Sequence, residues 1–271
     1  MNKTKLLSLL YLLSLLLLSV SGSLSGFLSE TVYIFSFVLP TALGVYLVML
    51  DGGAEEKSLL SLNKHSLLLL APTAFPIVFI IILISSLTSF LIGLVFGAEN
   101  AINLGDNLPL ALVLHALFPA LLEEMLFRYL PMRLYKRDES ATMIVISSLF
   151  FALVHRDFFV IPYAFIAGAL FMIIDIIADS VWPSVILHAF NNALSVLWIF
   201  YSQSVEFVFA FYALLIIFSA VSSIFIIKRR EEYKAEIKKI FKGERVKTDI
   251  SVLYFAVPTL ILAVLDLMSK I

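Results

Sequence analysis

Nine stretches of apolar residues divide the chain, and short polar or charged segments separate them. Most of these stretches approach or exceed the ~20 apolar residues that a helix needs to cross a bilayer. The pattern therefore predicts an all-α fold, a polytopic transmembrane helical bundle of about 8–9 spans. The predicted segments are residues 6–20, 32–50, 66–96, 108–134, 139–155, 160–178, 182–201, 205–227 and 250–269.

Composition supports an integral membrane protein. The 271 residues are 61% hydrophobic and only 14% charged, whereas soluble domains are roughly 45–50% apolar and ~25% charged. No soluble domain is visible, so we expect a single transmembrane domain over residues 1–271. The chain has no cysteine, which excludes disulfides and a cysteine nucleophile.

The distribution of lysine and arginine predicts the orientation of the chain. With the N-terminus in the cytoplasm and nine segments crossing, the inner segments carry 16 of the 19 Lys and Arg residues. This is the asymmetry that the positive-inside rule describes. The inner segments are residues 1–5, 51–65, 131–140, 178–181 and 228–249.

Residues 228–249 form a basic, cytoplasmic, amphipathic linker in this interpretation. Its helical spacing and its charge suit a helix that lies against anionic lipid headgroups. The alternative is a segment that only determines topology.

The first apolar segment has two interpretations. Lys3 and Lys5 precede a leucine-rich run, and residues 19–26 are small and polar, as in a signal peptide with its cleavage region. We expect an uncleaved first helix, because a protein with many spans needs no removable signal.

Three charged residues interrupt the fourth apolar segment, namely Glu123, Glu124 and Arg128. A charge in hydrocarbon costs at least about 2.5 kcal/mol, so such residues need partners or a function. Glu124 and Arg128 are i,i+4 neighbours and can pair. Glu123 points about 100° away and lacks that partner, which marks it as a candidate functional residue. His115, eight residues before Glu123, is expected to be a buried, hydrogen-bonded histidine.

Two further spans carry polar side chains. His155 ends one apolar run, and His188 and Asn192 share a helix face on another. We expect these side chains to converge with Glu123, because each would otherwise face lipid. A carboxylate base, an imidazole and amide donors together could activate water and stabilise an oxyanion.

Depth within the membrane argues against a simple convergence. Counted from the inner helix ends at 1.5 Å per residue, Glu123, His155 and His188 lie roughly 17, 24 and 9 Å deep. Helix tilt would have to close these differences.

The motifs resemble those of a known family. Glu-Glu-x-x-x-Arg (Glu123 to Arg128), Phe-x-x-x-His (Phe151 to His155) and His-x-x-x-Asn (His188 to Asn192) occur in order, each on its own span. This combination resembles the CPBP family of CAAX proteases and bacteriocin-processing enzymes, which includes the type II CAAX prenyl endopeptidases. The resemblance covers a catalytic core of about residues 108–201. Trp182-Pro183 also fits, whereas Tyr129 and Ala178-Asp179-Ser180 stand where many prokaryotic members have glycine and a basic, glycine-containing turn.

The resemblance implies an intramembrane endopeptidase with a polar cavity open to the cytoplasm and no cofactor. Glu123 would be the general base that activates water, and His155 would help to hold that water. His188 and Asn192 would stabilise the oxyanion, while Glu124 and Arg128 would support the site. The expected partners are a peptide or lipidated-protein substrate, with a prenylated CAAX tail as one candidate, and membrane lipid. No nucleic-acid partner is expected.

Two alternatives stay open. Glu123, His155 and His188 could instead bind a catalytic zinc ion, although no His-Glu-x-x-His motif is present. The chain could also be a non-catalytic transporter or immunity protein, because buried charges such as Asp175, Asp179 and Asp266 also mark transport pathways.

Overall fold

The computed structural model describes residues 2–50, 59–61, 64–97, 104–242, 246 and 249–270. All of the regular secondary structure in these residues is helical, which confirms the predicted fold class. The helices are α1 (Lys3–Ser21), α2 (Gly26–Leu50), α3 (Lys64–Phe96), α4 (Leu108–Leu134), α5 (Ser140–Leu153), α6 (Ile161–Ala178), α7 (Trp182–Tyr201), α8 (Val205–Lys228), α9 (Arg230–Ile240) and α10 (Leu253–Lys270).

Eight of these helices are long and apolar enough to cross a membrane, namely all except α5 and α9. Length and composition thus make the chain an integral, multi-pass membrane protein. Four of the eight contain prolines in their interior, at Pro40 in α2, at Pro72 and Pro76 in α3, at Pro119 and Pro131 in α4, and at Pro258 in α10.

The fifth predicted segment is shorter than expected. We predicted residues 139–155, whereas α5 has 14 residues, about 21 Å of helix against a hydrocarbon core of about 30 Å. Twelve of its side chains are buried, so α5 is a central helix surrounded by protein. Contacts at both ends show that α5 nevertheless runs parallel to α1 along its length. Lys3 pairs with Glu139 where the two helices begin, and Arg156 donates to Ser19 Oγ at 3.2 Å where they end.

The predicted inner segments meet at one end of the bundle, which we call the basic end. Asn2 donates to Asp249 at 2.9 Å, and Val181 N–H donates to the Leu59 carbonyl at 3.0 Å. Leu59 also lines a small cavity together with Arg137 and Asp179. The described parts of all these segments therefore lie together, as the threading predicted, while the assignment of this end to the cytoplasm stays a prediction.

Glu139 anchors the N-terminus at the basic end. Partial burial alone would raise the pKa of its carboxyl, but hydrogen bonds from Lys3 and from the Lys136 backbone hold that pKa below its usual value. The carboxylate thus favours its charged form and closes the turn between α4 and α5.

An aromatic cluster forms the centre of the fold. The Tyr11 ring lies 4.9 Å from Phe127 and 4.8 Å from Phe150, and Phe150 lies 5.0 Å from Phe255. These four side chains are fully buried and come from α1, α4, α5 and α10. Aromatic pairs in such geometry add about 0.5–1.5 kcal/mol each beyond area burial. The first apolar segment is therefore a packed part of the core, and it fixes α4 against α5.

Candidate active site

The helix that carries the two glutamates is irregular in two places. Turns of π-helix occupy Val113–Leu117 and Met125–Tyr129, and each ends two residues before a proline, Pro119 or Pro131. Phe118 N–H donates to the Val113 carbonyl, and Leu130 N–H donates to the Met125 carbonyl. Such turns are uncommon and occur often at functional sites. The second begins directly after Glu124.

The second proline explains a contact to the neighbouring helix. Pro131 has no N–H, so it cannot satisfy the carbonyl four residues earlier, that of Phe127. Ser147 of α5 donates its hydroxyl to this carbonyl instead. The irregular part of α4 is thereby attached to α5, where the Phe-x-x-x-His motif lies.

Glu124 is the best-bound side chain of the cluster. Its Oε1 lies 2.8 Å from His188 Nδ1, and its Oε2 lies 3.2 Å from Arg128 Nε. Glu124 and Arg128 are both fully buried. The predicted i,i+4 pair is therefore present, and Glu124 additionally holds the histidine of α7.

Glu123 is bound much less tightly. It is 8% exposed, and its Oε2 lies 4.0 Å from His188 Nε2, beyond hydrogen-bond range. Among the described residues, Oε2 has no hydrogen-bond partner. His188 thus lies between the two glutamates, with Nδ1 on Glu124 and Nε2 facing Glu123.

Phe151 packs against several of the polar groups. The Arg128 guanidinium lies 4.3 Å from the centre of the Phe151 ring. His155 and His188 contact this ring edge-on, at centroid distances of 5.2 and 5.5 Å. Gly168 of α6 allows the close approach beside this ring, because a Cβ there would lie 3.1 Å from Ser148 Cα and 3.3 Å from Phe151 Cδ1.

His155 lies apart from the glutamates. Its Nδ1 is 2.8 Å from the carbonyl of Phe151 in its own helix, and its side chain is half-buried. The structure therefore brings His155 to the same aromatic ring that His188 contacts.

Asn192 lies one helical turn beyond His188, as predicted, and is half-buried. Its Oδ1 accepts a hydrogen bond from Asn191 Nδ2 at 3.4 Å. As an i,i+4 neighbour of His188, Asn192 lies on the same helix face, while its hydrogen bond is to Asn191.

His115 differs from the expectation. It is exposed on the outside of α4, not buried. It lies inside the π turn Val113–Leu117, which takes more residues per turn than an α-helix and so changes the face on which His115 lies relative to Glu123.

Sequence reasoning did not assign Asp175 to the site. This residue of α6 is fully buried, and its Oδ1 accepts a hydrogen bond from the Ser184 backbone at 2.9 Å. Its sequence spacing from the motifs carries no signal, so the sequence indicates only a transport residue. The folded arrangement of α6 and α7 bonds it to Ser184, which lies one turn before His188.

The described residues contain no group of three His, Cys, Asp or Glu side chains close enough to hold a metal ion. The alternative zinc ligands Glu123, His155 and His188 are therefore not brought together as such a group among the described residues. The cavity at the basic end is lined by none of the predicted site residues.

Comparisons with known proteins were made for the whole chain. Residues 105–194 match the family model described as Type II CAAX prenyl endopeptidase Rce1-like, and this range contains all six predicted site residues. No curated protein and no solved structure matches the chain. Over residues 105–194, the chain is therefore similar to the type II CAAX prenyl endopeptidases, which confirms the family that its motifs indicate.

Proposed function

We propose that this protein is an intramembrane endopeptidase in which Glu123 activates the attacking water. The family match supports endopeptidase activity of the CAAX type in general. The mechanism and the roles of individual residues are our proposal.

One observation carries the proposal, namely the different partners of the two adjacent glutamates. Glu124 Oε1 lies 2.8 Å from His188 Nδ1, and its Oε2, although it makes no hydrogen bond among the described residues, lies 3.2 Å from Arg128 Nε, within ion-pair distance. Glu123 Oε2 makes no hydrogen bond among the described residues and has no ion-pair partner closer than His188 Nε2, which it faces at 4.0 Å. A general base needs such a free carboxylate oxygen.

The reaction follows from these positions. Glu123 takes a proton from water while the water oxygen attacks the scissile carbonyl, giving a tetrahedral intermediate. The His188 ring, as an imidazolium with a proton on each nitrogen, donates from Nε2 to the negative oxygen of that intermediate, and the Asn192 amide donates to the same oxygen. Glu123 then returns the proton to the leaving amine as the C–N bond breaks. No covalent enzyme intermediate forms.

Glu124 supports His188 in this scheme. A carboxylate only accepts hydrogen bonds, so its 2.8 Å contact with Nδ1 places a proton on that nitrogen and turns Nε2 toward Glu123. Arg128 compensates the charge of Glu124. Carboxylate–histidine pairs orient the imidazole in the same way in metal sites and in catalytic triads.

The role of His155 rests on the resemblance, which assigns it to holding the water. Its side chain contacts the same Phe151 ring as His188. We propose that it borders the same reaction space.

The proposed substrate is a peptide or lipidated protein at the membrane surface, with a C-terminal CAAX-type tail as first candidate. Its test is cleavage of a prenylated CAAX reporter peptide by purified protein. We expect Glu123→Gln to lower kcat by about 10²–10⁴-fold, the usual contribution of a general base. As a matched control, Glu206→Gln removes an exposed carboxylate in the first turn of α8 and should leave kcat unchanged.

The same assay, repeated with a strong chelator, distinguishes the alternatives. Wild-type cleavage that survives complete metal removal ends the zinc interpretation, whereas loss of cleavage that zinc restores would replace Glu123-activated water with a metal mechanism. Equal cleavage by wild type and Glu123→Gln would contradict the proposal. If wild type cleaves neither prenylated nor unmodified peptides, the transporter or immunity alternative gains support.

A further inference from the structure

The turn between α6 and α7 is built around one residue, Asp175. Its backbone carbonyl accepts hydrogen bonds from the backbone N–H groups of Asp179 and Ser180, and these bonds end α6. Asp179 adopts the left-handed conformation, with φ of 51°. This conformation favours glycine but is also accessible to aspartate. A non-glycine turn is therefore accommodated here, with Asp175 as its hydrogen-bond acceptor.

The same residue caps the next helix. The N-cap position of α7 is Val181, whose side chain makes no capping bond. Asp175 Oδ1 instead accepts from the N–H of Ser184 in the first turn of α7, at 2.9 Å. A carboxyl oxygen at this place satisfies an otherwise unpaired backbone donor of the first turn.

This first turn of α7 is held from a second direction. Val181 N–H donates to the carbonyl of Leu59, and Trp182 Nε1 donates to that of Leu60 at 2.6 Å. The start of α7 is thus fixed both to α6 and to the segment that precedes α3.

His188 lies one helical turn beyond Ser184, about 6 Å along the axis. The Ser184 side chain also lies close to the carboxylates of Asp175 and Glu124. A shift of the first turn of α7 would therefore move the His188 imidazole away from Glu124, to which it is bound at 2.8 Å.

We propose that Asp175 is a positioning residue of the site: by capping α7 at Ser184 it holds the His188 imidazole between Glu123 and Glu124. This inference rests on the proposed function only for its effect on catalysis, and the position of His188 can be measured without any substrate.

The kinetic experiment compares two near-isosteric variants, Asp175→Asn and Asp175→Leu. The asparagine keeps an oxygen that accepts the Ser184 N–H, whereas leucine keeps the volume but has no acceptor. Because a buried carboxylate is costly to desolvate, we expect the leucine variant to fold. We expect a kcat within about threefold of wild type for Asp175→Asn, and a fall of about 10- to 100-fold with little change in KM for Asp175→Leu.

Thr259→Ala is the control for stability alone. Thr259 is fully buried in α10, and its hydroxyl bonds to the Phe255 carbonyl of its own helix at 2.8 Å. This variant should lower the thermal unfolding temperature without changing kcat. An unchanged kcat in Asp175→Leu, or an equal loss in both Asp175 variants, would overturn the proposal.

The spectroscopic experiment uses protein with ¹⁵N-labelled histidine in detergent. The chain has four histidines, and His188→Gln identifies the signal of His188. We expect the hydrogen-bonded Nδ1 signal to persist in Asp175→Asn and to be lost in Asp175→Leu, as in Glu124→Leu, which has no acceptor. A His188 signal that is identical in wild type and Asp175→Leu would overturn the proposal, even if wild type shows no peptidase activity.

Discussion

The side chain of Glu124 shows what a buried charge requires. It is fully buried, and it is compensated by Arg128 at 3.2 Å and by His188 at 2.8 Å. Arg128 in turn lies over the face of Phe151, an arrangement that contributes about 0.5–2 kcal/mol. Removing one partner of such a pair leaves an uncompensated charge in the interior, at a cost of about 3–5 kcal/mol.

We therefore expect Glu124→Gln and Arg128→Met to be strongly destabilising as single variants, by about 3–5 kcal/mol each. The double variant should cost much less than the sum of the two, because it leaves neither charge unpaired. Thermal and denaturant unfolding in detergent measures these differences. Strictly additive effects would mean that the two side chains do not interact.

Glu123→Gln is the matched comparison within the same helix. Because Glu123 has no ion-pair partner closer than 4.0 Å among the described residues, we expect this variant to unfold close to the wild-type temperature while losing activity. Stability would thus separate the supporting glutamate from the catalytic one.

At the scale of elements, the irregular helix α4 orients the site. A regular helix would turn by about 100° per residue throughout, whereas the π turns at Val113–Leu117 and Met125–Tyr129 interrupt that regularity on both sides of the glutamates. The bond from Ser147 to the Phe127 carbonyl holds the second irregular turn against α5. The orientation of Glu123 and Glu124 therefore depends on a proline and on a serine of another helix.

We expect Ser147→Ala to destabilise the protein by about 1–3 kcal/mol, because it leaves the buried Phe127 carbonyl without its donor. Pro131→Ala supplies a backbone N–H that can reach this carbonyl, so adding it to Ser147→Ala should restore part of the stability. Pro131→Ala should also straighten α4 and lower kcat. Unfolding measurements and the reporter assay test both parts.

Ser148→Ala is the control for this experiment. Ser148 is also buried, but its hydroxyl bonds to the Ile144 carbonyl of its own helix at 2.6 Å. We expect a smaller loss of stability than for Ser147→Ala. An equal loss in the two variants would show that the contact between α4 and α5 contributes nothing specific.

At the scale of the whole molecule, the apolar pattern predicted the helical bundle, because the bilayer sets the length of its helices. The Glu124–Arg128 pair was equally predictable, since it depends only on local helix geometry. The shortness of α5 was not, because a helix surrounded by protein does not have to match the bilayer thickness. An apolar sequence is expected both for a helix surrounded by protein and for a helix that spans the bilayer.

The parts of the site that depend on tertiary arrangement could not be predicted from spacing. Residue counts gave Glu123 and His188 depths that differ by about 8 Å, yet His188 contacts the glutamate next to Glu123. Helix tilt and the π turns can account for such a difference, and neither can be read from hydropathy. Asp175 was missed for the same reason, since its partner Ser184 is on another helix.

The orientation of the bundle is the last prediction. The chain has no cysteine, so single cysteines can be introduced directly and labelled with a membrane-impermeant thiol reagent in cells. Ser23, Lys136 and Lys238 are exposed positions in the described residues: the first two lie in the turns after α1 and α4, and Lys238 lies in α9, which follows α8. If α5 crosses the bundle, four crossings separate Lys136 from Lys238, so both lie on the same side, at the basic end, and Ser23 lies on the other side. Lys136→Cys and Lys238→Cys should therefore be protected from the reagent in intact cells, and Ser23→Cys should be labelled.

The same three positions test whether α5 carries the chain through the bundle. If it did not, the number of crossings between Lys136 and Lys238 would be odd, and these two cysteines would be labelled from opposite sides. That outcome would contradict the contact of Asn2 with Asp249, which places the start of α1 and the segment that follows α9 on one side. If Lys136→Cys and Lys238→Cys were both labelled and Ser23→Cys were protected, the helical bundle would stand, but its orientation in the membrane would be reversed. The basic end would then face away from the cytoplasm, against the positive-inside rule.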